Sequence, residues 1–233
     1  MGFGWFYIDE WYILLIIPTM ILGLIAQIKV QTTYKKYSTV FSRKGNTAAS
    51  VARKILDKNG LYNVRIERVR GELTDHFDPR GNVVRLSENV HDSTSVAAIG
   101  VAAHEVGHAI QYAESYKPMK VRSAIIPATR IGSIAAPILL IIGIFMAHPS
   151  FILLGIILYS TTAVFQLVTL PVEFNASRRA LKTLDKEALL DRGEEMSGAK
   201  NVLSAAAMTY VAALIMSLAQ ILRIILLFGG RRD

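Results

Sequence analysis

Residues Ile131–Leu170 read IGSIAAPILLIIGIFMA (131–147), HPS (148–150) and FILLGIILYSTTAVFQLVTL (151–170). Each apolar run approaches the ~20 residues an α-helix needs to cross ~30 Å of hydrocarbon. The break between them is three residues long and contains proline, so the pair reads as a helical hairpin in a bilayer. Two further apolar runs lie outward of it, Trp11–Ile28 and Val202–Phe228. Pro18 is expected to kink the first, which neighbouring helices accommodate in a membrane. Gln220 and Arg223 interrupt the last, leaving open whether it crosses the bilayer or lies in its interface. The chain has 233 residues, 52% of them apolar, and their bunching points to lipid as the solvent for part of the protein.

Charge placement orients the helices. The formal net charge is +8, and the basic residues sit beside the apolar runs, as at Lys29, Lys35, Lys36 and Arg43-Lys44. Residues 29–123 and 171–201 are rich in Lys and Arg, whereas the first 28 residues and the 148–150 turn have none. The basic segments are therefore expected in the cytoplasm and the N-terminus outside. Arg231 and Arg232 would break that rule if the last run crossed. Trp5, Phe6, Tyr7, Trp11 and Tyr12 read as an interfacial aromatic belt on a retained helix, not as a cleaved leader. Nothing in the sequence resembles a nucleic-acid-binding motif, so no nucleic-acid partner is expected. There is no cysteine, which excludes disulfides, thiolate metal sites and cysteine nucleophiles.

The segment between the first two runs reads as a small α/β unit. Asn46 or Thr47 caps a helix through Val51, Ala52, Ile55 and Leu56, and Gly60 ends it. Val64, Ile66 and Val69 predict one strand and Asn82–Leu86 another, with Asp78-Pro79-Arg80-Gly81 as a turn. Asp92, Ser93, Thr94 and Ser95 offer caps for an Ala-rich helix over Val96–Ala113. The expected architecture is a mostly α membrane protein with about four transmembrane or membrane-associated helices and a small cytoplasmic α/β unit. Its parts are an N-terminal anchor (1–30), the α/β segment (31–123), the hairpin (124–170), a cytoplasmic helix (171–201), and a C-terminal membrane helix with a basic tail (202–233).

The Ala-rich helix contains His104-Glu105-Val106-Gly107-His108. Two histidines four apart project from one helix face, so both imidazoles reach a single zinc ion at ~2.0–2.1 Å. Glu105 then stands beside the ion as general base. Zinc lowers the pKa of water towards ~7 and polarises a carbonyl, while the carboxylate carries the proton to the leaving amine. Gly107 leaves room for another chain segment to approach closely. A third ligand ten residues after the first histidine, behind a glycine turn, would fall at Glu114 with Gln111 in the glycine position, which argues against that arrangement. Glu173 is the better candidate. It follows the third apolar run, with Pro171 at the expected start of a helix, and two crossings separate it from His104, returning it to the same side.

The stretches Leu73–Pro79, Val84–Ser87, Ile99–Gln111 and Pro171–Ala180 resemble those of the small bacterial membrane zinc metallopeptidases called neutral zinc metallopeptidases. More distantly the arrangement is similar to the membrane gluzincins that include the prenyl-protein and heat-shock proteases. The resemblance implies a gluzincin-like unit in a bacterial plasma membrane, one zinc ion per chain on His104, His108 and Glu173, and Glu105 as base. Where gluzincins commonly carry an Asp four residues after the Glu ligand, this chain has Ser177. Support for the imidazoles is therefore expected from Asn175 or an acidic residue elsewhere.

His76 and His91 are candidates for stabilising an oxyanion, and Arg178 for contacting substrate. Asp75 and Asp78 are expected to shape a loop, and His148, in the opposite turn, to stand apart from catalysis. The strand Asn82–Leu86 is a candidate for pairing with an extended substrate. The expected activity is hydrolysis of peptide or membrane-protein substrates at the cytoplasmic face. Two other readings are an intramembrane, site-2-like protease and a metal-stabilised scaffold of a membrane complex. A homo-oligomer or a regulatory membrane partner is compatible with each.

Overall fold

The computed structural model describes residues 9–228. The aromatic residues Trp5, Phe6 and Tyr7 and the basic pair Arg231-Arg232 lie outside that range. A π-helical turn, Tyr12–Ile16, runs into α1 (Ile17–Ser38). There follow α2 (Ala48–Lys58), β1 (Arg65–Val69), β2 (His76–Asp78), β3 (Val83–Ser87), α3 (Glu88–His91), α4 (Val96–Ala113), α5 (Lys117–Phe145), α6 (Pro149–Lys186) and α7 (Glu194–Phe228). Among the described residues, four helices are long and apolar enough to cross a membrane: Tyr12–Ser38, α5, α6 and α7. The chain divides into two compact units, one of residues 1–27, 120–170 and 209–233, the other of residues 28–119 and 171–208.

In the first unit small residues let helices meet. A side chain added at Gly155 would collide with Leu140, and one at Gly143 with Ile152, so α5 and α6 of the hairpin pack at glycine positions. The π-turn stands just before Pro18. Proline supplies no N–H and its ring crowds the carbonyl four residues back, and a widened turn absorbs both. Arg223 is the charge that made the last apolar run ambiguous. It is buried, its Nε bonds an Asp9 carboxylate oxygen at 3.2 Å, and its guanidinium lies over the Tyr12 ring. The cation is thus neutralised inside the helix bundle. Asp9→Asn should lower thermal stability in detergent by about 2 kcal/mol, because the guanidinium keeps a neutral acceptor only. Adding Arg223→Met to that variant should restore part of the loss.

The second unit holds the larger hydrophobic core. Thr47, not Asn46, caps α2, its hydroxyl accepting from Ser50 N–H at 3.2 Å, and Gly60 takes φ +72° just beyond the helix. Val51, Ala52, Ile55 and Leu56 turn inward against Val84 and Leu86 of β3 and Ile99, Ala102 and Val106 of α4. Ser95 caps α4 by accepting from Ala98 N–H at 3.3 Å.

The sheet differs from the sequence expectation. It has three strands in the order β1-β3-β2, with β1 parallel and β2 antiparallel to β3. The extra strand, β2, precedes the Asp78–Gly81 turn and is three residues long. β3 lies in the middle, paired along its length with β1 and over Val83–Arg85 with β2, so most of the strand expected to pair with a peptide is already taken by its neighbours. A second correction concerns Pro171, which lies inside α6 and not at a helix start. Two helices that read as separate are one continuous element of 38 residues.

Candidate metal centre

α4 is apolar on nearly every side, so its polar residues are few and each is placed. Val106, Gly107, Ala109 and Ile110 are buried, while His104 and Glu105 are half-buried. The i, i+4 spacing sets the two imidazoles 4.7 Å apart, edge to face, at 85°. α6 crosses close by, because Gly107 has no side chain. A Cβ there would lie 2.7 Å from the Ala176 carbonyl oxygen. That close approach carries Glu173, 3% exposed, to the histidines.

Its Oε2 stands 3.3 Å from His104 Nε2 and 3.5 Å from His108 Nε2. The three donor atoms lie within 4.8 Å of one another. Ligands bound at ~2.0–2.1 Å around a tetrahedral ion are separated by about 3.3–3.4 Å. The carboxylate oxygen stands at about that spacing from both imidazole nitrogens, and two imidazole nitrogens with one carboxylate oxygen are a donor set that fits zinc.

The far ring nitrogens are fixed as well. Gln111, fully buried, donates from Nε2 to the Val172 carbonyl at 2.8 Å and to Asn175 Oδ1 at 3.0 Å. Both donors are used, so its Oε1 faces His108 Nδ1, 3.0 Å away. An acceptor there requires a proton on Nδ1, which leaves the Nε2 lone pair for a metal. Arg179 completes the chain, Nε donating to Asn175 Oδ1 at 2.7 Å and NH2 pairing with Glu114 at 2.7 Å. On the other histidine, Ser177 Oγ is 3.1 Å from His104 Nδ1. Support for the imidazoles thus comes from Ser177 and Gln111. Asn175 acts one step further out, and no acidic residue touches either far nitrogen among the described residues. Gln111 was legible only as a missing glycine turn. The signal for its role is its position three residues after His108, on the same face of an otherwise apolar helix.

Gln111→Leu should weaken zinc affinity about 10–100-fold while α4 stays folded, measured by competition with a chelator. Electrostatics bear on the same measurement. Burial alone would lower the pKa of His108, but the Glu173 carboxylate, the Glu105 charge and Gln111 outweigh it and raise it. A proton that binds more tightly competes with metal at higher pH. Zinc affinity should therefore begin to fall at a higher pH than for an unperturbed histidine (~6.5), by up to about tenfold per pH unit for each proton displaced.

The remaining candidates are placed as follows. Glu105 directly follows His104, with its charge felt at His108 and at Asp75. Asp75 is pushed upward chiefly by burial, although Ser87 N–H and Oγ donate to it at 2.7 and 3.1 Å. Asp78 accepts from Arg80 N–H and pairs with Arg85, both at 2.9 Å. Both aspartates hold the strand–turn segment. On β2, Phe77 packs against Tyr112 of α4, ring centroids 5.8 Å apart. Alternation turns His76 to the opposite face, where its Nδ1 donates to Thr74 O and its Nε2 meets Arg85. His91 pairs with Asp92 at 2.6 Å. Arg178 is exposed and lines a groove with Lys182, so neither it nor His76 joins the three ligands.

Residues 12–229 match the family model described as "Putative neutral zinc metallopeptidase". The chain belongs to this family. It is also 49% identical, over 95% of its own length and 98% of the relative's, to "Putative membrane protease YugP" of Bacillus subtilis (strain 168). No solved structure matches. For a member of a zinc metallopeptidase family, the cluster His104, His108 and Glu173 is where a metal ion would be held.

Proposed function

We propose that the chain is a zinc-dependent endopeptidase of the bacterial plasma membrane, with a gluzincin-like active site on the cytoplasmic face. The observation that carries this reading is the convergence of His104, His108 and Glu173 beside Glu105, a carboxylate that the ligand set does not use. A structural zinc site has four protein ligands and no need of a neighbouring base. When bound, zinc supplies a Lewis acid that acidifies water and polarises the scissile carbonyl. The chain's own groups do the rest. His104, His108 and Glu173 hold one ion, with Gln111 and Ser177 fixing the rings. Glu105 takes a proton from water as the water oxygen bonds to the carbonyl carbon. It delivers that proton to the amine nitrogen as the C–N bond breaks, so no covalent enzyme intermediate is needed.

With β3 paired on both sides over Val83–Arg85, the strand offered to substrate is β2, whose outer edge has no strand partner among the described residues. β2 packs on α4 through Phe77 and Tyr112. An extended peptide adding to that edge would pair through main-chain hydrogen bonds, which supports backbone cleavage with modest side-chain selectivity. The cytoplasmic placement rests on the Lys- and Arg-rich segments 29–123 and 171–201.

The deciding experiment compares zinc content and hydrolysis of unfolded casein, in detergent, for wild type and Glu173→Ala. One zinc per chain and activity in wild type only, with zinc weakened in the variant, is the expected result. Failure of any preparation to bind zinc, even when supplied, would overturn the reading.

A further inference from the structure

In the unit that carries the metal centre, α1, α6 and α7 enclose a groove of about 1070 Å³. Five cations line it: Lys29 and Lys36 from α1, Arg178 and Lys182 from α6, and Lys200 from α7. None of the five lies within ion-pair distance of a carboxylate among the described residues. The one carboxylate in the lining, Asp185, is paired with Arg192 at 2.9 Å. Like charges gathered on one surface repel, and their summed field attracts an anion to it. Between them the walls are apolar, and Phe174 and Met208 show 44% and 42% of their surface. Along the chain, Lys29 is the residue after the first apolar run and Phe174 stands four residues, about one helical turn, past the third.

We propose that this groove binds an anionic phospholipid, its phosphate among the lysines and its acyl chains along Phe174 and Met208. Charge and apolar surface are both needed to explain the lining. A free anion would leave the apolar wall in water, and a zwitterionic lipid would leave the five cations uncompensated. The site is distinct from the metal centre, but Ser177, which holds His104, also lines the groove. An occupied groove is therefore in contact with the support of a metal ligand.

The test uses the full chain, delipidated in neutral detergent and titrated with phosphatidylglycerol or phosphatidylcholine, with bound lipid counted by native mass spectrometry. Saturable phosphatidylglycerol binding is expected, about tenfold or more tighter than phosphatidylcholine. The triple variant Lys36→Gln/Lys182→Gln/Lys200→Gln should lose at least about tenfold of that affinity. Lys35→Gln/Lys120→Gln/Lys186→Gln removes the same charge outside the groove and should leave it unchanged. Equal weakening by both variants would reduce the effect to diffuse surface charge. Equal binding of the two lipids, or displacement of phosphatidylglycerol by millimolar inorganic phosphate, would also overturn the proposal. A photoreactive phosphatidylglycerol on wild type guards against misfolded variants: labelling should fall in residues 29–37, 174–185 and 196–208, and labelling confined elsewhere would refute the site.

Discussion

Glu105→Gln should keep its zinc and lose about 10²–10⁴-fold of its peptidase activity. The amide has the size of the carboxylate, and Glu105 lies outside the three-donor cluster, so the ligands and the α4–α6 contact stay as they are. What disappears is the group that can accept a proton from water and release it to the amine. Glu173→Ala is the contrasting change. It deletes a ligand and should lower metal affinity first, with activity following. The two variants separate holding the ion from moving the proton, read as zinc per chain against casein hydrolysis. A fully active Glu105→Gln protein would end the assignment of this residue as base.

Gly107→Ala should be the most damaging methyl group that can be added near the site. Its Cβ would meet the Ala176 carbonyl oxygen at 2.7 Å and the Ala176 Cα at 3.2 Å. These are backbone atoms in the middle of a helix, so no rotamer change relieves the collision. Overpacking of this kind costs about 1–3 kcal/mol. α6 must also retreat, and it carries Glu173 one turn before Ala176 and Ser177 just after it, so zinc affinity should fall together with stability. Gly100→Ala is the control on the same helix. There the nearest neighbour, Ala199, is 3.5 Å away, an ordinary contact, and a helical Gly-to-Ala change gains up to about 1 kcal/mol. Thermal unfolding with and without zinc distinguishes them. If Gly107→Ala behaved like Gly100→Ala, the close α4–α6 approach would have no energetic meaning.

The centre was legible because its chemistry is local. His104 and His108 are one helical turn apart, and that spacing alone aims both rings at one point. Glu173 was reachable because two expected crossings would return the chain to the starting side, and the family resemblance marks the residue. Elements set by distant pairing were not legible. The three residues of β2 carry no alternation long enough to read, and only registration against β3 makes them a strand. That missing strand is why β3 read as an edge. Pro171 misled for a different reason. In water a proline after a polar transition marks a helix start, but in a membrane protein neighbouring helices hold a helix together through it. Arg223 read as an obstacle to a fourth crossing because its partner, Asp9, lies 214 positions away in sequence.

The ligands come from two helices, and the hairpin is synthesised between them. A chain that has emerged only as far as residue 172 owns two imidazoles and no third donor, and the Ala176 and Ser177 that support α4 do not yet exist. Two ligands hold a metal ion more weakly than three. The three-donor set is complete only when α6 lies beside α4, so the hairpin between them must be made before the centre is.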